Sequence, residues 1–202
     1  AAPAAGAVAG TVRVLERGGK SPLPSQAHAV VYLRGPATPP PEQAAQVQQV
    51  DKTFQPRVLA IVKGQAVTFH NSDRVRHNAF CHDPRKNFDL GRFPKGETRT
   101  ETFPEAGFYK VYCDIHQQMV LDIAVLENRY FAVTDAAGAF RIAGVPPGSY
   151  TLAIWHIYGG TAELDRGNLL KGTAAIWGKD LDWHNGYCRW MEVVDPNYKV
   201  KP

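Results

Sequence analysis

Tyr112-Cys113-Asp114-Ile115-His116-Gln117-Gln118-Met119, read together with Arg76-His77-Asn78 upstream, is the stretch around which the rest of the chain can be organised. It carries a thiol, an imidazole and a thioether on one short loop, spaced Cys-x2-His-x2-Met, while His77 brings a second imidazole from a distant strand end. Cysteine and methionine sulfur favour Cu(I), imidazole suits both oxidation states, and a trigonal Cys-His-His plane with a weak axial Met suits neither state fully. A donor set of this kind lets copper change oxidation state with little rearrangement. Taken singly, each residue has an ordinary reading: Cys113 as a buried apolar thiol, His77 and His116 as surface histidines, Met119 as core filler. Jointly they point to a metal. Zinc is the rival ion, but a single Cys with a Met argues for a softer, redox-active one.

The framing segments carry as much information as the donors. Glu105-Ala106-Gly107-Phe108-Tyr109-Lys110-Val111-Tyr112-Cys113 alternates like a strand entered from a glycine turn, and Val67-Thr68-Phe69-His70-Asn71 reads as another, followed by Ser72-Asp73-Arg74-Val75-Arg76-His77. Val47 to Asp51, Val58-Leu59-Ala60-Ile61-Val62 and the closing Val120-Leu121-Asp122-Ile123-Ala124-Val125-Leu126 complete the set of expected strands, with 84 to 102 as a variable connection. With four donors and both framing strands in this order, residues 47 to 126 resemble the cupredoxin family, and the short ligand loop is similar to that of amicyanin and plastocyanin-like proteins. The resemblance implies a Greek-key β-sandwich over 47–127 holding one type 1 copper ion, with His77, Cys113 and His116 in the plane and Met119 axial. It further implies His116 as the electron port. Asn78 would brace the Cys loop, its N–H aimed at the thiolate and its side chain reaching the segment around Asp114. Ile115 stands where several relatives have proline, so a second N–H from Ile115 toward the sulfur is expected.

A second module is expected on either side of this domain. Tyr130 to Thr134, Ala139-Phe140-Arg141-Ile142 and Ser149 to His156 form a β-meander punctuated by Asp135-Ala136-Ala137-Gly138 and Pro146-Pro147-Gly148. This span, with Gly10-Thr11-Val12, Pro22-Leu23-Pro24 and Val30-Val31-Tyr32-Leu33, resembles the carboxypeptidase regulatory-like, transthyretin-like β-sandwich. The expected architecture is all-β: a Greek-key cupredoxin sandwich nested inside a second sandwich made of 8–35 plus 128–158. The alternative is that the N-terminal strands extend the cupredoxin sheets. Residues 159–202 hold Trp177, Trp183 and Trp190, too much apolar area for a disordered tail, and are expected to pack on the body.

Composition narrows the class. A chain of 202 residues with 44% hydrophobic residues, 18 Gly and 15 Pro suits a turn-rich β protein, and no apolar run is long enough for a membrane span. Its start, Ala1-Ala2-Pro3-Ala4-Ala5-Gly6, reads as the mature end after signal cleavage or simply as a boundary. With Cys113 assigned to metal, Cys81 and Cys188 remain, as a disulfide or as two free buried thiols. Copper, the resemblance and the spare pair favour the bacterial periplasm or secretion. The net charge of +4 includes seven basic residues between 73 and 99 (Arg74, Arg76, Arg85, Lys86, Arg92, Lys95, Arg99), either a mixed solvated face or a patch that steers an acidic partner. No nucleic-acid reading motif is present. His70 reads as an outward strand residue and His156 and His184 as structural histidines.

The leading expectation is an electron carrier, not an enzyme, whose partner is a redox protein such as a cytochrome or periplasmic dehydrogenase. The alternative is copper storage, delivery or a structural metal. A nitrite reductase or multicopper oxidase would need further copper ions, usually held by His-x-His pairs, and the sequence has none. The identity of the partner and the oligomeric state are not encoded in any motif.

Overall fold

The computed structural model describes residues 6–15 and 21–158, together with the backbone of the strands within 160–164, 176–177 and 191–194. The fold is all-β, with no helix among the described residues and so none long and apolar enough to cross a membrane. Two compact units divide the chain: Ala37–Arg129 forms one, and Ala1–Pro36 with Tyr130–Pro202 forms the other.

In chain order, β1 (Gly6–Val14) and β2 (Ala29–Arg34) open the discontinuous unit. The continuous unit contributes β3 (Ala45–Val50), β4 (Thr53–Gln55), β5 (Val58–Val62), β6 (Ala66–Asn71), β7 (Phe80–Asp83), β8 (Lys86–Asp89), β9 (Thr98–Thr102), β10 (Gly107–Tyr112) and β11 (Val120–Leu126). The chain then returns through β12 (Phe131–Val133), β13 (Ala139–Val145), β14 (Thr151–His156), β15 (Gly160–Leu164), β16 (Ile176–Trp177) and β17 (Met191–Val194).

The discontinuous unit has two four-stranded sheets, ordered β13-β1-β17-β16 and β12-β2-β14-β15. β1 pairs antiparallel with β13, and β2 lies between β12 and β14, so each sheet joins strands from both sides of residues 37–129. β1 and β2 take no part in the sheets of the continuous unit. Val12, Val14, Val31, Leu33, Phe140, Ile142, Leu152 and Ile154 share one core. The turn into β13 requires glycine: Gly138 has φ 83°, and a Cβ there would stand 2.1 Å from the Val12 carbonyl oxygen. Asp135 caps that turn by accepting the N–H groups of Ala137 and Ala139, each at 2.9 Å. Of the expected packed extension over 159–202, the backbones of β15, β16 and β17 belong to these sheets, and the remainder, with Trp183, Trp190, His184 and Cys188, lies outside the described residues.

In the continuous unit the sheets are β4-β3-β6-β9 and β5-β11-β10-β7-β8. Two pairings are parallel, β3 with β6 and β5 with β11, and the rest are antiparallel. Strand alternation decides what faces inward. On β6, Val67, Phe69 and Asn71 are all fully buried, while on β10 Tyr109 and Val111 point into the core and Lys110 points out. Phe103 meets Phe88 and Tyr109 edge-on, with ring centroids 5.8 and 5.6 Å apart. Removing each such ring from water contributes roughly 1.5–3 kcal/mol.

Cys81 bears on one expectation. It sits on β7 with its side chain in the core of this unit, 1% exposed and a free thiol, which does not support the expected Cys81–Cys188 disulfide; Cys188 lies outside the described residues. The reason is strand parity: Phe80 and His82 take the outer face, and the thiol between them is turned inward. Residues 84–89, the start of the variable connection expected over 84–102, instead complete the β7–β8 hairpin, in which Phe80–Asp83 pairs with Lys86–Asp89.

Candidate metal centre

The alternation that builds the core also aims the donors. Residues 109, 111 and 113 fall on one face of β10 and its extension, so Cys113, the first residue past the strand, continues the core face and is 5% exposed. Met119, one residue before β11, shares the inward parity of Leu121, Ile123 and Val125 and is fully buried. The loop between them closes on itself: the Met119 N–H donates to the His116 carbonyl at 2.9 Å, and the Cys113 N–H donates to the Met119 carbonyl at 3.3 Å. His77 is held on a separate segment by a reciprocal backbone bridge with Phe93, 3.2 and 2.8 Å, and has no exposure.

These elements bring His77, Cys113 and His116 together, and among the described residues they are the group of His, Cys, Asp or Glu side chains that converge closely enough to hold a metal. His77 Nδ1 is 3.1 Å from His116 Nδ1, and Cys113 Sγ is 3.8 Å from each. In a triangle with sides 3.1, 3.8 and 3.8 Å, one point lies about 2.1 Å from all three donors, close to first-row metal bonds of roughly 2.0–2.1 Å to imidazole nitrogen and 2.3 Å to thiolate. A proton shared between the ring nitrogens satisfies these contacts in the metal-free protein, and with a thiolate and both Nδ1 lone pairs presented inward a cation among them offsets their repulsion. The donor set therefore fits copper, and Met119, packed in the same core cluster as Cys113, is the thioether the loop supplies.

Neighbouring groups fix the donors. Asn78 is 1% exposed; its Oδ1 accepts the Asp114 N–H at 2.8 Å and its Nδ2 donates to Asp89 at 3.1 Å. Gln49 Nε2 donates to the Asn78 carbonyl at 3.0 Å, and its Oε1 is buried without a partner among the described residues. Asp114 is also gripped by Arg92, at 2.9 and 2.7 Å. His116 is the half-buried donor, and burial lowers its pKa, with His77 and Lys52 pushing the same way.

One residue escapes the sequence reading. Asp73 Oδ2 lies 2.8 Å from His77 Nε2, on the side of the ring away from Cys113. Its carboxylate also accepts the Asp51 and Lys52 N–H groups, each at 2.8 Å. Burial pushes the Asp73 pKa up, but these N–H donors and His77 outweigh it and hold the carboxyl below its ordinary value. The available signal is Asn71-x-Asp73, an Asx turn in which the Asp73 N–H donates to Asn71 Oδ1 at 2.8 Å.

Two expectations at the thiolate are corrected. Among the described residues the hydrogen-bonding neighbours of Cys113 Sγ are the two ring nitrogens, and neither the Asn78 nor the Ile115 N–H reaches it. Asn78 acts through its side chain, and Ile115 sits on the outer part of the loop, 40% exposed. Among the described residues two further histidines stand apart from this group: His70 is on β6 opposite Gln48 and Thr98, and His156 is buried with Nε2 3.3 Å from the Ala27 carbonyl.

Comparison with known proteins agrees with this geometry. Residues 41–126 match the family model of copper binding proteins, plastocyanin/azurin family. No curated protein matches the chain. Among solved structures, similarity extends to a Cu-containing nitrite reductase (NirK) from Thermus scotoductus SA-01, 32% identical over 42% of this chain and 23% of that one, TM-score 0.40. A purple cupredoxin from Nitrosopumilus maritimus is 29% identical over 40% of this chain and 98% of its own, TM-score 0.36. The Cu(I) form of an amicyanin point mutant is 19% identical over 47% of this chain and 97% of its own, TM-score 0.40. The chain thus spans less than a quarter of the nitrite reductase it resembles. What decides the assignment is the matched segment together with the order of its donors: residues 41–126 of this chain are a cupredoxin domain of the plastocyanin/azurin copper-binding family.

Proposed function

We propose that this domain holds one copper ion through His77 Nδ1, Cys113 Sγ and His116 Nδ1, with the Met119 thioether as the weaker axial donor, and relays single electrons between protein partners. The observation that carries the reading is the donor triangle of 3.1, 3.8 and 3.8 Å with a thiolate at its apex. Bound copper would supply the Cu(I)/Cu(II) couple, and the chain's part is to keep the donors fixed in both states. His77 and Cys113 are shielded from water, whereas His116 is half-buried and forms the way in for an electron. A closed set of four protein donors leaves no position for a substrate, which favours a carrier over an enzyme.

A redox partner with an acidic face fits the surface near the site. Of the basic residues between 73 and 99, Arg85, Lys86, Arg92 and Arg99 are tied to Asp83, Glu101, Asp114 and Glu97. Lys52, Arg74 and Lys95 form no ion pair among the described residues, and with Asp73 they line an open depression of about 590 Å³. Val75 and Ile115, 42% and 40% exposed, add apolar contact. We place such a carrier outside the cytoplasm, in the periplasm or secreted.

Loading the purified chain with Cu(II) tests the proposal. An intense visible thiolate-to-copper band, reversible reduction and loss of the band in Cys113→Ser are expected. A colourless copper-loaded protein would instead point to storage or delivery.

A further inference from the structure

Resting on the copper reading of His77 but going beyond it, we propose that Asp73 is a positioning residue for that ligand: the turn at residues 51–52 pins its carboxylate against His77 Nε2, which fixes the ring's tautomer and strengthens its Nδ1 as a donor.

The geometry is over-determined on both sides of the carboxylate. Asp73 Oδ2 is 2.8 Å from His77 Nε2. An imidazole that donates from Nε2 carries its lone pair on Nδ1. Nδ1 is the atom facing Cys113 Sγ at 3.8 Å and His116 Nδ1 at 3.1 Å. The carboxylate cannot easily swing away, because its two oxygens take the N–H groups of Asp51 and Lys52 at 2.8 Å each.

That turn is unusual for its sequence. Asp51 and Lys52 have φ of 52° and 54°, the left-handed pair of a two-residue hairpin that ordinarily takes Asn-Gly. Lys52 holds the position glycine would fill. In this conformation two successive N–H groups converge into a concavity for an anion, and Asp73, 22 and 21 residues away in sequence, occupies it. Reversing the chain alone would not need an acceptor from so far off. A carboxylate on the outer nitrogen polarises the N–H bond and makes the inner nitrogen a stronger donor, favouring the more highly charged oxidised ion. Asp73 therefore lowers the reduction potential.

The test compares the full-length chain with Asp73→Asn, which keeps an acceptor oxygen but removes the charge, and with a turn variant, Asp51→Asn with Lys52→Gly, which keeps both N–H groups. Asp73→Asn is expected to raise the potential of the copper-loaded protein by about 59 mV, a tenfold change in the relative affinity for the two oxidation states at one electron, while the turn variant keeps the parent value. In the metal-free parent, nitrogen-15 NMR of the His77 ring should show the Nε2–H tautomer with a strongly deshielded proton, lost in Asp73→Asn. An unmoved potential in Asp73→Asn, a turn variant that moves as far, or an Nδ1–H tautomer in the parent would each overturn the proposal, the last without any variant having to fold. If the tautomer is as expected but loaded protein shows no charge-transfer band, the copper reading fails while the hold of Asp73 on the ring stands.

Discussion

Replacing Asn78 by alanine removes the cross-link between the segment that carries His77 and the loop that carries Cys113. In the native fold the Asn78 side chain, 1% exposed, accepts the Asp114 N–H at 2.8 Å and donates to Asp89 at 3.1 Å. Its backbone carbonyl also receives Gln49 Nε2, a bond that alanine keeps. The two lost bonds differ in cost. Asp89 is exposed and still accepts the Gly91 N–H at 2.9 Å, so water replaces Asn78 there at little expense, about 0.5 kcal/mol. The Asp114 N–H is part-buried and loses its acceptor, which costs about 1–3 kcal/mol for the unsatisfied donor, and the vacated amide volume adds to it. The sum is roughly 2–4 kcal/mol, a sizeable share of the 5–15 kcal/mol that holds a typical domain folded.

Amide hydrogen exchange on the metal-free protein reads this locally. Peptides covering 110–119 should exchange about 30- to 700-fold faster in Asn78→Ala at the tenfold-per-1.4 kcal/mol conversion. The copper-loaded variant should show a broadened visible band, because the thiolate is no longer held in one place. Exchange in 110–119 within threefold of the parent would mean that the loop is ordered by its own Cys113–Met119 and His116–Met119 backbone bonds, and the bracing argument would be wrong.

Three other consequences are open to measurement. Asp122, 1% exposed on β11, is ion-paired with both Arg57 and Lys110; Asp122→Ala removes the buried carboxylate and leaves two cations, 33% and 48% exposed, that water can hydrate, so urea unfolding should show a loss of about 1–3 kcal/mol, against near-neutral behaviour if the pairs are merely superficial. Burial raises the Cys81 thiol pKa, so in a Cys188→Ser background Cys81 should resist thiol reagents at neutral pH and react only as the pH rises well past the ordinary thiol range; brisk labelling of Cys81 at neutral pH would contradict its place in the core. Gly138→Ala must put a Cβ 2.1 Å from the Val12 carbonyl oxygen at φ 83°, and thermal unfolding should report more than about 1 kcal/mol of destabilisation.

How far the sequence can be read depends on the range of each interaction. The donor loop is legible because Cys113, His116 and Met119 are set by local spacing, and the parity of β10 and β11 carries Cys113 and Met119 inward without help from distant residues. The β13 turn is legible for the same reason, since Asp135 and Gly138 act on their immediate neighbours. Cys81 shows the limit of counting residue types. Three cysteines less one ligand suggest a pair, yet alternation about Phe80 and His82 places the thiol in the core of its own unit. The β7–β8 hairpin is hidden because its charged residues, Asp83, Arg85 and Lys86, look like loop; Asp83 and Arg85 are paired with each other at 2.8 Å, and β8 has one neighbour in its sheet.

The thiolate's surroundings lie beyond sequence altogether, and the cause bears on how the site is tuned. Whether a backbone N–H reaches Cys113 depends on peptide orientations that residue identity leaves free, so having Ile115 where relatives carry a proline does not bring a donor to the sulfur. The group that does bear on the donors, Asp73, arrives through a turn whose residues contact it only after β3, β4 and β6 have assembled. On the proposed copper reading, electron density at the site would be adjusted from the His77 side, where the fold supplies a fixed carboxylate, more than from the Cys113 side. Substitutions at Asp114, Ile115, Gln117 and Gln118 that preserve the loop should consequently move the copper couple less than a change at Asp73, and a set of such variants whose potentials scatter more widely than that of Asp73→Asn would reverse this ordering.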